Sequence, residues 1–129
     1  MPKKILIVDD EPDILFTVGQ VLETSGYEVI KANNGQECID KLSQMQENPD
    51  LVLLDIMMPE ISGWDVAAKI KENPNWKEIP IVFLTAKADT MSVGMGNLSS
   101  EDYIVKPFDI KDLKERVDKV FNKSGKLTL

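Results

Sequence analysis

The sequence predicts an α/β fold, with one doubly wound parallel sheet of five strands and helices on both faces. Three observations lead there. Solid apolar runs recur at residues 5–8 ("ILIV"), 51–54 ("LVLL") and 81–84 ("IVFL"), and unbroken runs of this kind mark strands buried on both faces. Segments with helical spacing of apolar residues lie between them, and alternation through short loops calls for parallel strands joined by right-handed crossovers. The length, 129 residues, suits one domain with one sizeable core.

The elements follow in order. After the first strand, Ile14, Leu15, Val18, Val21 and Leu22 share a helical face, with Pro12 suited to the first turn and Gly26 to the stop. "YEVIKA" at 27–32 is a second, weaker strand. Asn34 and Glu37 have the spacing of a helix cap and its reciprocal partner, and Ile39, Leu42 and Met45 form the stripe behind them. The third strand, at 51–54, is followed by a helix striped by Trp64, Ala67 and Ile70. The strand at 81–84 leads into residues 89–100, where a helix is expected but weakened. Gly94 and Gly96 there each cost about 1 kcal/mol relative to Ala, although Met91, Met95 and Leu98 still form a stripe. "YIV" at 103–105 is the last strand, and Asp109 caps a helix carrying Ile110, Leu113, Val117, Val120 and Phe121. Residues 1–122 make the domain, and 123–129 a frayed tail or the start of a linker.

Composition removes several kinds of chemistry. The net charge of −7 would repel a phosphate backbone, so direct nucleic-acid binding is not expected. A single cysteine, Cys38, forbids an internal disulfide and reads as a core filler. No histidine is present, which excludes histidine-based zinc sites, serine–histidine pairs and phosphohistidine on this chain. No apolar run reaches the roughly 18 residues of a membrane span, and "ILIV" is too short for a signal peptide. The expected location is the cytoplasm.

Polar groups gather where the strands end. In an open parallel sheet the ligand crevice lies beyond the carboxyl ends of the strands. Asp9 and Asp10 follow the first strand, Asp55 the third, Thr85 the fourth and Lys106 the last. Each such aspartate taken alone could be a turn or cap residue; five strand-end positions together form a site. Three carboxylates at about 4 Å repel by roughly 4 kcal/mol per pair at an effective dielectric of about 20. Raised pKa values or a cation must relieve that. Mg²⁺ suits a few carboxylates and retained waters, and with Lys106 it would attract a phosphoryl group toward a carboxylate nucleophile.

The segments "ILIVDDEPD", "LVLLDIMMPEISGWD", "PIVFLTAKA" and "DYIVKPF" resemble, in order and spacing, the receiver domain of two-component response regulators, over roughly residues 3–122. The single-domain, chemotaxis-type regulator is the simplest form. The resemblance implies the flavodoxin-like strand order 2-1-3-4-5. It also implies a phosphoacceptor role for Asp55, served by a separate sensor histidine kinase. Asp9, Asp10, Asp55 and the carbonyl of Met57 would hold Mg²⁺. Lys106 would pair with Asp55 and then with phosphoryl oxygens, while Thr85 and Tyr103 would act as the switch. The Lys106–Pro107 bond would be cis, and Met57 and Lys87 would flank the pocket. Added phosphoryl charge would bias an existing equilibrium and so signal to an unknown effector. The protein would be a monomer or weak homodimer and not a conventional enzyme.

Two features depart from the family. Ser99–Ser100 replace the usual Gly-Ala, and the glycine-rich 89–100 segment is expected to have low local stability. Other function classes fit less well. A phosphoester or haloacid hydrolase would want an acid where Met57 stands. A flavin module would want a Ser/Thr/Gly loop where "DDEPD" stands. A receiver-like scaffold that is never phosphorylated is disfavoured by the complete set of site residues.

Overall fold

Three segments with nearly unbroken apolar character and two of mixed character, EVIKA and DYIVK, become the strands of one sheet. The computed structural model describes residues 2–86 and 102–125, so the expectations for 89–100, Lys87 and Ser99–Ser100 lie outside the described residues. The strands are β1 (Lys4–Val8), β2 (Glu28–Ala32), β3 (Leu51–Asp55), β4 (Ile81–Ala86) and β5 (Asp102–Lys106). All neighbours are parallel, in the order β2-β1-β3-β4-β5. This is the 2-1-3-4-5 order of the flavodoxin-like receiver fold. The helices are α1 (Pro12–Thr24), α2 (Gly35–Gln44), α3 (Gly63–Glu72) and α4 (Ile110–Gly125). The last continues past residue 122.

The period of two along each strand divides the core into two layers. Leu6, Val8, Val52, Leu54, Ile81 and Phe83 face α2 and α3, packing on Cys38, Leu42, Val66, Ala67 and Ile70. Ile5, Ile7, Leu51, Leu53, Val82, Leu84 and Ile104 face the other way, onto Leu15, Val18 and Leu22 of α1 and Leu113, Val117 and Val120 of α4. Truncating any one of these buried leucines to alanine costs about 2–5 kcal/mol.

Local signals set the helix limits. Pro12 stands at the first turn of α1, and Gly26, at φ +98°, provides the left-handed residue after its end. The Asn34 side chain accepts the Glu37 amide at 2.7 Å, as expected. The Glu37 carboxylate returns to the amide of Asn33 at 2.6 Å, one residue earlier than a reciprocal cap would have it. Met45 ends α2 in extended conformation and leaves the expected stripe, while Ile39 and Leu42 pack on the core as expected, joined by Gly35 and Cys38. The Asp109 carboxylate accepts the amide of Lys111 at 2.9 Å and so starts α4. The Lys106–Pro107 peptide is cis.

Candidate functional site

The parallel register brings the carboxyl ends of β1, β3, β4 and β5 to one rim. Asp9 leaves β1 with its amide bonded to the Ala32 carbonyl of β2 at 3.1 Å. Its Oδ1 accepts the Glu11 amide at 2.9 Å, the turn bond typical of aspartate two residues before its donor. Asp9 is therefore both a turn residue and a site residue. Its other oxygen, Oδ2, points into the rim, fully buried and without a hydrogen bond among the described residues. Asp10 is exposed beside it. Asp55 ends β3, paired in register with Leu84 of β4, and is buried at 3% exposure.

Lys106, the last residue of β5, extends its ammonium over these acids. Its Nζ lies 2.8 Å from Asp9 Oδ2 in an ion pair off hydrogen-bond alignment, and donates to Asp55 Oδ1 at 3.3 Å. Glu11 Oε2, on an exposed side chain, stands 3.7 Å from the same nitrogen. The expected Lys106–Asp55 pair is thus present, with Asp9 the nearer partner. One oxygen each from Asp9, Asp10 and Asp55 lies within 4.8 Å of the others.

Electrostatics follow from that crowding. Burial first, then the neighbouring Asp9 charge, push the Asp55 carboxyl up to about 7, against the opposing pull of Lys106. Burial also raises Asp9, with Lys106 opposing. Burial works against the Lys106 charge, but Asp9 and Asp55 outweigh it and raise its pKa. Three carboxylates against one ammonium leave a formal −2 when all are ionised. The clustered hard oxygens, with Asp9 Oδ2 buried and lacking an aligned hydrogen bond beside its Lys106 ion pair, fit a divalent cation of the Mg²⁺ kind.

Thr85 is the penultimate residue of β4, buried, with its hydroxyl donating to the Ala86 carbonyl at 3.2 Å. Tyr103 of β5 is half-buried and stacks on Phe83, its register partner, with ring centroids 5.7 Å apart. Met57 lies in the loop after β3 with its side chain 61% exposed. The structure thus brings Asp9, Asp10, Asp55 and Lys106 into one cluster, with Thr85 on the adjoining strand end. The other two sit further along, Met57 in the loop and Tyr103 three residues before Lys106.

Sequence reasoning gave too small a part to two residues. Glu11 anchors Asp9 through its amide and adds a carboxylate near Lys106. Gly63, to which the sequence motif assigns no role of its own, is where α3 meets the end of β3. Its amide donates to the Ile56 carbonyl at 2.7 Å, and a Cβ there would lie 2.2 Å from the Asp55 carbonyl oxygen. Only a glycine permits that approach. A glycine between a turn and a helix start was the one signal available in sequence.

Known proteins place the chain. The profile of the response regulator receiver domain matches residues 5–118. The alkaline phosphatase synthesis transcriptional regulatory protein PhoP of Bacillus subtilis is 38% identical over 125 residues, covering 96% of this chain and 50% of that protein. A probable cyclic di-GMP phosphodiesterase of Vibrio cholerae is 43% identical over 114 residues, covering 88% of this chain and 25% of that one. The chain spans about half the length of PhoP and of most of the other curated relatives it matches. Among solved structures, the response regulator protein TrrA of Thermotoga maritima, in complex with Mg(2+)-BeF, is 41% identical with a TM-score of 0.79, covering 92% of this chain and 98% of that one. A response regulator of Chloroflexus aurantiacus superposes with a TM-score of 0.84 at 31% identity, covering 93% and 98%. The chain belongs to the response regulator receiver domains, a family of phosphoacceptor signalling modules.

Proposed function

We propose that Asp55 accepts a phosphoryl group from a partner histidine kinase in a Mg²⁺-dependent reaction, and that the resulting charge switches the domain. One observation carries this reading: a buried aspartate at the end of the central strand β3 faces Lys106 at 3.3 Å and two more acids within 4.8 Å. A carboxyl held near 7 is only partly ionised at neutral pH, and a protonated carboxyl is a poor nucleophile. Asp9, Asp10, Asp55 and the Met57 carbonyl would hold Mg²⁺, which when bound keeps Asp55 ionised and offsets phosphoryl charge.

The transfer balances without a general base. An Asp55 oxygen forms the new bond to phosphorus as the donor's bond to phosphorus breaks, and the donor leaves with that electron pair. Lys106 is positioned to hold one phosphoryl oxygen, and the Thr85 hydroxyl turns from the Ala86 carbonyl to another. The acyl phosphate formed is lost later to water, so turnover is confined to the domain's own group. The phosphoryl group brings about −1.5 to −2 charges and strong acceptors. Thr85 and Tyr103 shift toward it, biasing a pre-existing equilibrium.

On this reading, residues 1–122 form the receiver unit, residues 123–129 its tail or linker start, and the domain works in the cytoplasm as a monomer or weak homodimer. Its direct partners are the kinase and an effector rather than nucleic acid, consistent with the charge of −7. Among the described residues no helix is long and apolar enough to cross a membrane. Incubation with Mg²⁺ and acetyl phosphate tests the reading by intact mass. One added phosphoryl group, absent from Asp55→Asn and in chelator, is expected; an unmodified wild-type mass would overturn it.

A further inference from the structure

A further chain of contacts among the described residues starts at the Asp55 backbone. Gly63 leaves no slack between the Asp55 backbone and the start of α3, because its Cα sits where even a methyl group would strike the Asp55 carbonyl at 2.2 Å. The next residue, Trp64, packs its indole on Phe83 with centroids 4.8 Å apart and a tilt of 54°. Phe83 is fully buried, so its ring is held among core neighbours. The same ring stacks on Tyr103 at 5.7 Å and 14°. Three aromatic side chains from α3, β4 and β5 therefore connect the loop after Asp55 to the half-buried tyrosine.

We propose that Trp64 and Phe83 are positioning residues for Tyr103, forming a coupling arm from the Asp55 loop that runs beside Thr85. This rests on the reading of Asp55 as phosphoacceptor and of Tyr103 as switch. The two-state element is the Tyr103 ring, either on Phe83 as in this structure or turned off it toward solvent. Phe83 provides the stacking surface for the inward state. Trp64 fixes where that surface lies, and α3 carries Trp64 with the backbone of Asp55. A displacement of the β3–α3 loop on phosphorylation is thereby passed to Tyr103 without any change at Thr85. Loss of one stacked aromatic contact shifts such an equilibrium by about threefold to tenfold.

Fluorine NMR of protein labelled with 3-fluorotyrosine reads the Tyr103 ring directly. The chain has two tyrosines, and Tyr27→Phe assigns the remaining signal. In Phe83→Leu and in Trp64→Leu, the unphosphorylated Tyr103 signal is expected to move toward that of exposed fluorotyrosine, with the inward-to-outward ratio falling about threefold to tenfold. The double variant goes no further, because Trp64 acts through Phe83. Acetyl phosphate and Mg²⁺ still place a phosphoryl mass on Asp55 in both single variants, but the accompanying change in the Tyr103 signal shrinks. A Tyr103 signal unmoved by either substitution, or effects that multiply in the double variant, would overturn the proposal. Should Phe83→Leu fail to fold, the half-exposed Trp64 decides alone through Trp64→Leu. Absence of any phosphoryl mass on the unsubstituted chain would instead overturn the phosphoacceptor reading, leaving the unphosphorylated Tyr103 signal to judge the aromatic arm.

Discussion

Replacing Asp55 by asparagine should stabilise the metal-free protein, and by more at high pH than at low. In the fold the Asp55 carboxyl is held up to about 7, against its ordinary 3.8, by burial and by the Asp9 charge. The folded chain therefore keeps a proton that the unfolded chain releases near 3.8. The stability tied to that proton is complete below 3.8 and is lost as the pH rises through about 7. At about 1.4 kcal/mol per pH unit, the full loss is about 4 kcal/mol, of which about 2–3 falls between pH 5 and pH 8. Asparagine carries no such titration, so its advantage over the unsubstituted chain grows by that amount across the interval. For a domain of this size 1 kcal/mol moves Tm by about 4 °C, so the advantage should widen by about 10 °C. Thermal unfolding in chelator at both pH values measures it. With saturating Mg²⁺ the unsubstituted chain should lose most of its pH dependence, because the ligand is the ionised carboxylate. An advantage equal at pH 5 and pH 8 in chelator would refute the reasoning, since the acid cluster would then not be raising Asp55.

Three further outcomes are expected. Lys106→Met removes the cation 2.8 Å from Asp9 and 3.3 Å from Asp55 and should cost about 3–5 kcal/mol at pH 8 by urea unfolding. The cost should be smaller at pH 5, where the stranded acids take up protons. Gly63→Ala puts a methyl group 2.2 Å from the Asp55 carbonyl; it should cost about 1–3 kcal/mol or more and slow phosphoryl uptake from acetyl phosphate. Asn34→Ala frees the Glu37 amide held at 2.7 Å and should cost about 1 kcal/mol in urea unfolding with phosphoryl uptake unchanged, because the Asn34 side chain bonds Glu37 and Asn33 rather than the acid cluster.

The three central strands were legible because both faces are buried, so apolar runs appear without interruption, whereas the edge strands β2 and β5 read more weakly. Strand order was not. Periodicity says that "ILIV" and "LVLL" are buried but not which lies between the others, and only resemblance to the receiver family provided 2-1-3-4-5. At the site, Asp9, Asp10, Asp55, Thr85 and Lys106 could be named because topology delivers strand ends to one rim. Which acid Lys106 approaches most closely depends on side-chain reach across β1 and β3, and that is absent from spacing. Gly63 was undervalued for a similar reason. The constraint on it is the Asp55 carbonyl eight residues earlier in the chain, a contact that exists only once β3 and α3 are packed. Met45 was misplaced because a stripe has no way to mark the residue at which the backbone turns extended. Sequence placed Trp64 only on the apolar stripe of its helix; its contact with Phe83 and so with Tyr103 needs the sheet register to be known.

The most direct test reads where phosphorus goes. After incubation with Mg²⁺ and acetyl phosphate, borohydride reduces an aspartyl phosphate to homoserine, and peptide mapping locates the converted residue. Conversion at position 55 alone, lost when Mg²⁺ is chelated, is the expected result. Conversion at Asp9 or Asp10, or none anywhere in the chain, would contradict the account.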